Sequence, residues 1–263
     1  MSDDILLEHV DTRGVCTVTM NRPDVHNAFD DVLIGRLERT FRGFAHRPEV
    51  RVVVLAGNGR SFSAGADLNW MKRMAGYTRQ ENFDDALALA TMLEAIYRCP
   101  KPTIAHVHGA AFGGGVGLVA ACDIAIASER ASFALTEVKL GLIPATIGPY
   151  VVEAIGARAC RRYFQTAERF SAGEAHRLGL VHEVCDEDHL DAKRDEIIAA
   201  LLQGGPHAQA AARDLIGAVA HKPVDDAVLR DTAARIADIR VSDEGQEGLQ
   251  AFLGKRKPAW VGE

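Results

Sequence analysis

The apolar positions of this chain fall into two rhythms. Val15-Cys16-Thr17-Val18-Thr19-Met20 alternates β-branched residues with others and predicts a strand, paired with a second over Ile5–Val10. Asn21-Arg22-Pro23-Asp24 interrupts that pattern. From Asp30 to Ala45 the apolar residues Val32, Leu33, Leu37, Phe41 and Phe44 recur at helical spacing. Arg51–Ala56 is a short apolar run closed by Gly57-Asn58-Gly59, the pattern of a buried parallel strand. Gln80–Arg98 predicts a second helix, stopped ahead of Pro100 and Pro102. Thr103–His108 and Cys122–Ala127 read as further strands, with Val116–Ala121 continuing as a helix between them.

The rest of the chain is mainly helical in pattern, over Ile147–Ile155, Ala157–Thr166, Ser171–Leu178, Asp188–Leu202, His207–Ala220, Asp225–Ile239 and Asp243–Leu253. Val181–Val184 reads as a short strand among these helices. Strands that alternate with helices predict an α/β fold. The Gly204-Gly205-Pro206 break divides a core over residues 1–203 from a C-terminal helical region over 204–263. That region is small for a core of its own, so it packs on the core or on another subunit.

Composition narrows the classes. A hydrophobic content of 48% supports a buried core, and a formal net charge of -6 argues against a general binder of phosphate backbones. Arg158, Arg161 and Arg162 form one local basic patch. The cysteines, Cys16, Cys99, Cys122, Cys160 and Cys185, are odd in number and scattered, as expected of free thiols in a reducing cytosol. His106 and His108 alternate on a strand, but two histidines alone make a poor metal site, and no metal is expected. Met1–Val10 carries no signal or transit pattern, and no apolar stretch reaches membrane-spanning length. The expectation is a cytoplasmic protein with no membrane partner.

The chemistry concentrates in two small-residue segments and one acid. Ser61-Phe62-Ser63-Ala64-Gly65-Ala66-Asp67-Leu68 follows a strand, where ligand loops of α/β sheets sit. His108-Gly109-Ala110-Ala111-Phe112-Gly113-Gly114-Gly115-Val116-Gly117 follows another. A helix starting near Gly114 leaves its first N–H groups unpaired and carries partial positive charge at that end. Gly114 N–H and Ala64 N–H together would form an oxyanion hole. Asp67 reads as the N-cap of a following helix. Glu137 lies in the apolar stretch Phe133-Ala134-Leu135-Thr136, ahead of Gly141-Leu142-Ile143-Pro144. Desolvation there would raise its pKa and suit it to proton transfer. Two donors and a carboxylate fit a thioester whose carbonyl oxygen becomes enolate-like.

These motifs resemble the crotonase (enoyl-CoA hydratase/isomerase) superfamily along essentially the whole chain, from Asn21-Arg22-Pro23 with Asn27-Ala28-Phe29 to Glu247–Trp260. The resemblance implies a crotonase-like spiral of ββα units with a C-terminal helical trimerisation region, assembled as a homotrimer or a dimer of trimers. It implies an acyl-CoA thioester as substrate, held by Ala64 and Gly114, with Glu137 matching one of two family glutamates and Gly117 standing at the other. Val25, Ala28, Ala66, Asp67 and Leu68 fall where the family wraps CoA, and Phe112 and Thr136 fall beside them. Phe252 and Lys255 fall where an aromatic and a lysine approach the nucleotide end. No cofactor is implied beyond the CoA of the substrate itself. Ala66-Asp67-Leu68-Asn69-Trp70-Met71, Ala111-Phe112-Gly113-Gly114, Ala167–Phe170 and Arg240–Leu249 look closest to bacterial methylglutaconyl-CoA hydratases of leucine breakdown and to hydratases of terpenoid-acid breakdown. A single glutamate is also compatible with enoyl-CoA isomerisation. RNA binding, known for one eukaryotic relative, would want a basic and aromatic stripe that this acidic chain lacks. Lys72, Arg73 and Arg79 are the candidates to meet a distal carboxylate on a substrate.

Overall fold

The computed structural model describes residues 4–262. Its main sheet has six strands in the order β1-β2-β3-β5-β7-β10. They are β1 (Leu6–Val10), β2 (Val15–Met20), β3 (Val52–Gly57), β5 (Thr103–Val107), β7 (Ile124–Ser128) and β10 (Glu183–Cys185). β1 and β2 form an antiparallel pair, and every other neighbouring pair is parallel. Val53, Leu55, Ala105 and Val107 face the larger core with Phe41, Phe44, Phe62 and Leu93, while Val52, Val54, Ile104 and Ile126 pack on the other face against Ile198. Burial on both faces is what the continuous apolar run of β3 requires.

A second sheet crosses the chain just beyond the first. β4 (Ser61–Ser63), β6 (Ala110–Phe112), β8 (Ser132–Ala134) and β9 (Phe170–Ser171) lie side by side, with β9 antiparallel. The sequence reading misses this sheet. It takes the glycine turn to follow the 103–108 strand at once, whereas β6 intervenes before the glycines.

Three of the parallel strands of the main sheet, β3, β5 and β7, are each followed by a short strand and then a helix. β3-β4 leads to α2 (Leu68–Met74) and α3 (Arg79–Tyr97), β5-β6 to α4 (Gly114–Ala121), and β7-β8 to α5 (Gly148–Thr166). These are the turns of a ββα spiral. α1 (Asp31–Gly43) precedes them and is capped by Asp30, whose side chain accepts from Leu33 N–H at 2.8 Å. α5 is interrupted at Gly156, φ 75°, which is where the sequence divides into two helices.

After α6 (Ala172–Leu178) and β10, α7 (Leu190–Gln203) runs back across the sheet to the Gly204-Gly205 break. α8 (Pro206–Val219), α9 (Asp226–Val241) and α10 (Asp243–Leu253) follow. They are fastened at the N-terminal ends of the parallel strands. Arg51, just before β3, donates to Gly204 O at 2.8 Å and to Trp260 O at 3.1 Å. Arg213 of α8 pairs with Asp123, just before β7, and donates to Cys99 O at 3.0 Å. Ile216, Leu229, Ile236, Phe252 and Leu253 remain exposed on these helices.

Candidate active site

The two glycine segments and Glu137 all lie past the C-terminal ends of β3, β5 and β7, and the short second sheet brings them together. Gly65 has φ 89° and rests on the second segment: a Cβ built there would lie 3.0 Å from Phe112 O and 3.7 Å from Gly114 N. Only a residue without a side chain meets both conditions. Gly113, with φ 51° and ψ -120°, makes the turn from β6 into α4, and no side chain caps that helix. The first amide of α4, Gly114 N–H, is thus left to an external acceptor at the positive end of the helix.

The first segment corrects the expected donor. Ala64 N–H donates to His26 O at 2.9 Å, so it is committed to the fold and unavailable to a ligand. Ala66 is the free one. Phe29 forms a parallel bridge to it, with Phe29 N–H donating to Gly65 O at 2.6 Å and Asp67 N–H donating to Phe29 O at 2.7 Å. In such a bridge the bonded groups belong to the flanking residues, and the central amide faces the other way. Among the described residues Ala66 N–H has no acceptor.

Asp67 is the N-cap the sequence predicts. Its Oδ1 accepts from Asn69 N–H at 2.8 Å and Trp70 N–H at 3.2 Å, and its Oδ2 pairs with Arg22 at 3.0 Å. Arg22 also pairs with Asp30 at 2.9 Å and donates to Ala28 O at 2.5 Å. Burial opposes the charge on Asp67, but the two amides and Arg22 outweigh it and hold the carboxyl below its ordinary range. Both oxygens are occupied, so Asp67 holds the Ala66 peptide in place rather than offering a free group. Arg22 and Asp30 complete this clamp, and the role of Arg22 is visible only in the structure.

Glu137 opens a 3-10 turn over Glu137–Leu140 directly after the buried Phe133, Ala134 and Leu135. A Cβ on Gly113 would lie 3.2 Å from Glu137 Oε1 and 3.9 Å from Thr136 Oγ1, which places the carboxyl against the turn that ends in Gly114. Glu137 Oε2 is buried and has no hydrogen-bond partner. Burial pushes the Glu137 pKa up, opposed by the residue's own backbone N–H. A desolvated carboxyl with one oxygen unpaired, beside two free amides, is equipped to take a proton and return it.

The remaining site expectations divide. Ala28 is buried beneath the segment, Phe112 and Thr136 are half-buried next to Gly113 and Glu137, and Val25 and Leu68 are exposed nearby. The guanidinium of Arg169 stacks 4.8 Å over the Phe112 ring. Of the basic candidates, Arg73 is paired with Asp31 and Lys72 and Arg79 are exposed. Arg162 of the basic patch is held by Glu168. Phe252 and Lys255 lie elsewhere in the chain. α10 is anchored through Glu244, which accepts from His207 and Ala208 N–H, and through Trp260, at the opposite end of the strands from Glu137. Within one chain neither residue reaches the site. His106 lies 3.1 Å from Asp191, whereas His108 Nε2 contacts Gly59 O at 2.9 Å, so the two histidines serve different partners.

Residues 11–263 match the family model described as enoyl-CoA hydratase/isomerase. An enoyl-CoA hydratase from Shewanella pealeana superposes with a TM-score of 0.94 at 46% identity, covering 98% of this chain and 96% of that one. An enoyl-CoA hydratase of Alternaria alternata is 34% identical over 94% of this chain and 81% of its own length. The carnitinyl-CoA dehydratase of Salmonella typhi is 32% identical over 97% and 98%, respectively.

Proposed function

The chain belongs to the enoyl-CoA hydratase/isomerase family, and on that premise we propose that it hydrates an enoyl-CoA thioester, converting 3-methylglutaconyl-CoA to 3-hydroxy-3-methylglutaryl-CoA or acting on a related carboxylated terpenoid acyl-CoA. The observation that carries this reading is the half-buried Glu137 carboxyl, with its Oε2 buried and without a hydrogen-bond partner, set against the turn that carries Gly114 and close to the free amide of Ala66. The thioester oxygen accepts from those two amides. Glu137 takes a proton from the water that attacks the β-carbon, and charge moves onto the thioester oxygen as an enolate. The same carboxyl then returns its proton to the α-carbon. The two amides favour this step because they face the oxygen only where its charge develops, and they need no reorganisation. A distal carboxylate on a glutaconyl-type substrate can assist the water in place of a second protein acid.

CoA would lie along Val25, Ala28, Ala66, Asp67 and Leu68, with Phe112 and Thr136 toward the acyl end. Phe252 and Lys255 would meet the nucleotide end only from a neighbouring copy, in keeping with a homotrimer or a dimer of trimers. Among the described residues no helix is long and apolar enough to cross a membrane, and the proposed setting is the cytoplasm, where such thioesters are turned over.

Gly117 favours a second reading. One carboxylate suffices to carry a proton between the α and γ carbons, which is enoyl-CoA isomerisation. Incubation with 3-methylglutaconyl-CoA and, separately, with a 3-enoyl-CoA distinguishes the two: hydration by product mass, isomerisation by chromatographic separation of the 2-enoyl and 3-enoyl isomers. Gain of one water supports the hydratase. Positional isomerisation alone supports the second reading.

A further inference from the structure

Position 117 does more than lack an acid. Gly117 lies one turn beyond Gly113 on α4, its N–H facing Gly113 O at 3.4 Å, so the two share a face of the helix. At Gly113 that face meets Glu137 Oε1. At Gly117 it meets Ile147, the residue just before α5, which is 1% exposed. A Cβ built on Gly117 would sit 2.8 Å from Ile147 Cβ, closer still to its Cγ2, and 3.6 Å from Leu93 Cδ2. Real Cβ atoms do not approach a branched, buried side chain that closely. Helical side chains lean toward the N-terminus, so an acid at 117 would need this volume in order to lean back toward Gly113 and Glu137.

We propose that Ile147 is a reaction-determining positioning residue: its side chain fills the space beside Gly117 and commits the site to Glu137 as its single protein carboxylate. The catalytic part of this inference rests on the enoyl-CoA reading of the site, while the packing part stands on its own. Ile147 and Gly117 form one matched pair, with the apolar bulk on α5 and the bare backbone on α4. A substrate processed here meets an apolar wall where a second acid would otherwise reach, so any second acid or base must come with the substrate or be dispensed with.

The test is a cycle of four proteins: the parent, Gly117→Glu, Ile147→Gly and the double variant. Gly suits position 147 because an N-cap tolerates it. Gly117→Glu alone should lower Tm by roughly 5 °C or more through overpacking. Ile147→Gly alone should lower it by opening a cavity. The double variant should stand well above the sum of the two losses, since each change makes room for the other. The pH profile of kcat/KM provides the readout that packing alone would not move. The parent and Ile147→Gly should show one acidic ionisation, and the double variant two, because neighbouring carboxylates titrate as a coupled pair. A Gly117→Glu variant with the parent Tm, or strictly additive losses, would overturn the packing. A coupled Tm with a single ionisation in the double variant would overturn the commitment to one carboxylate. Absence of enoyl-CoA turnover in the parent would count against the reading of the previous subsection, and the Tm cycle would still decide whether Ile147 fills the space.

Discussion

Replacing Glu137 with Gln separates the catalytic and the structural consequences of one half-buried carboxyl. Its folded-state pKa is raised by burial above the ordinary value of 4.5. A carboxyl shifted this way contributes its full share of stability below about pH 4 and withdraws it as pH rises through the raised value. Each unit of the rise costs about 1.4 kcal/mol once the group is ionised. For a chain of this length that corresponds to roughly 3–5 °C in Tm per unit, an upper bound because the half-buried carboxyl keeps some contact with water. Glu137→Gln should therefore melt higher than the parent at about pH 8, and the gap should close below about pH 4. Turnover should fall on the order of 10²–10⁴ over the same range, since the amide cannot accept the proton. Thermal melts of both proteins across that range, with turnover assays alongside, test both halves. A Tm gap that is absent or independent of pH would refute the desolvated carboxyl, and near-parent turnover would refute its role.

Three further outcomes follow from the same geometry. Gly114→Ala places a Cβ 3.0 Å from Phe29 Cδ2 and closer still to Cε2, displacing the amide it carries, and should lower kcat by roughly 10²–10³ in a steady-state assay. Asp67→Ala removes the cap on Asn69 and Trp70 and one of the two carboxylates on Arg22. It should destabilise the fold by about 2–4 kcal/mol in denaturant titrations near neutrality, an effect that fades as acid protonates Asp67 below its ordinary value of 3.8. A thiol reagent at mildly alkaline pH should label Cys185 ahead of the other four cysteines, which are buried. Burial pushes the Cys16 and Cys99 thiols up to about 11, and all five should react once the chain is denatured.

The parallel strands β3 and β5, the long helices and the break before α8 were legible because each is long enough to show its period. The second sheet was not. Its strands have two or three residues, and Ser61–Ser63 or Ala110–Phe112 shows no alternation that a turn would not. The half-buried Glu137 and both small-residue segments that meet it were visible from residue types alone. Which alanine offers its amide was not, because Ala64 and Ala66 differ only in a long-range partner, the carbonyl of His26. The missing acid at Gly117 was plain in the sequence, whereas Ile147, distant in the chain, is brought against it only by the packing of α5 on α4. Phe252 and Lys255 were placed at the site by resemblance, and the anchoring of α10 at the other end of the sheet places them away from it within one chain.

In the proposed reaction Glu137, alone among protein carboxylates, drives hydration of an enoyl thioester whose oxygen rests on Ala66 and Gly114. The most direct measurement is product analysis by chromatography and mass for the purified protein with 3-methylglutaconyl-CoA in water and in ¹⁸O-labelled water, beside a 3-enoyl-CoA. The account predicts a product heavier by one water, carrying the label, and lost in Glu137→Gln. Unchanged 3-methylglutaconyl-CoA, with a 3-enoyl-CoA isomerised in parallel, would contradict it.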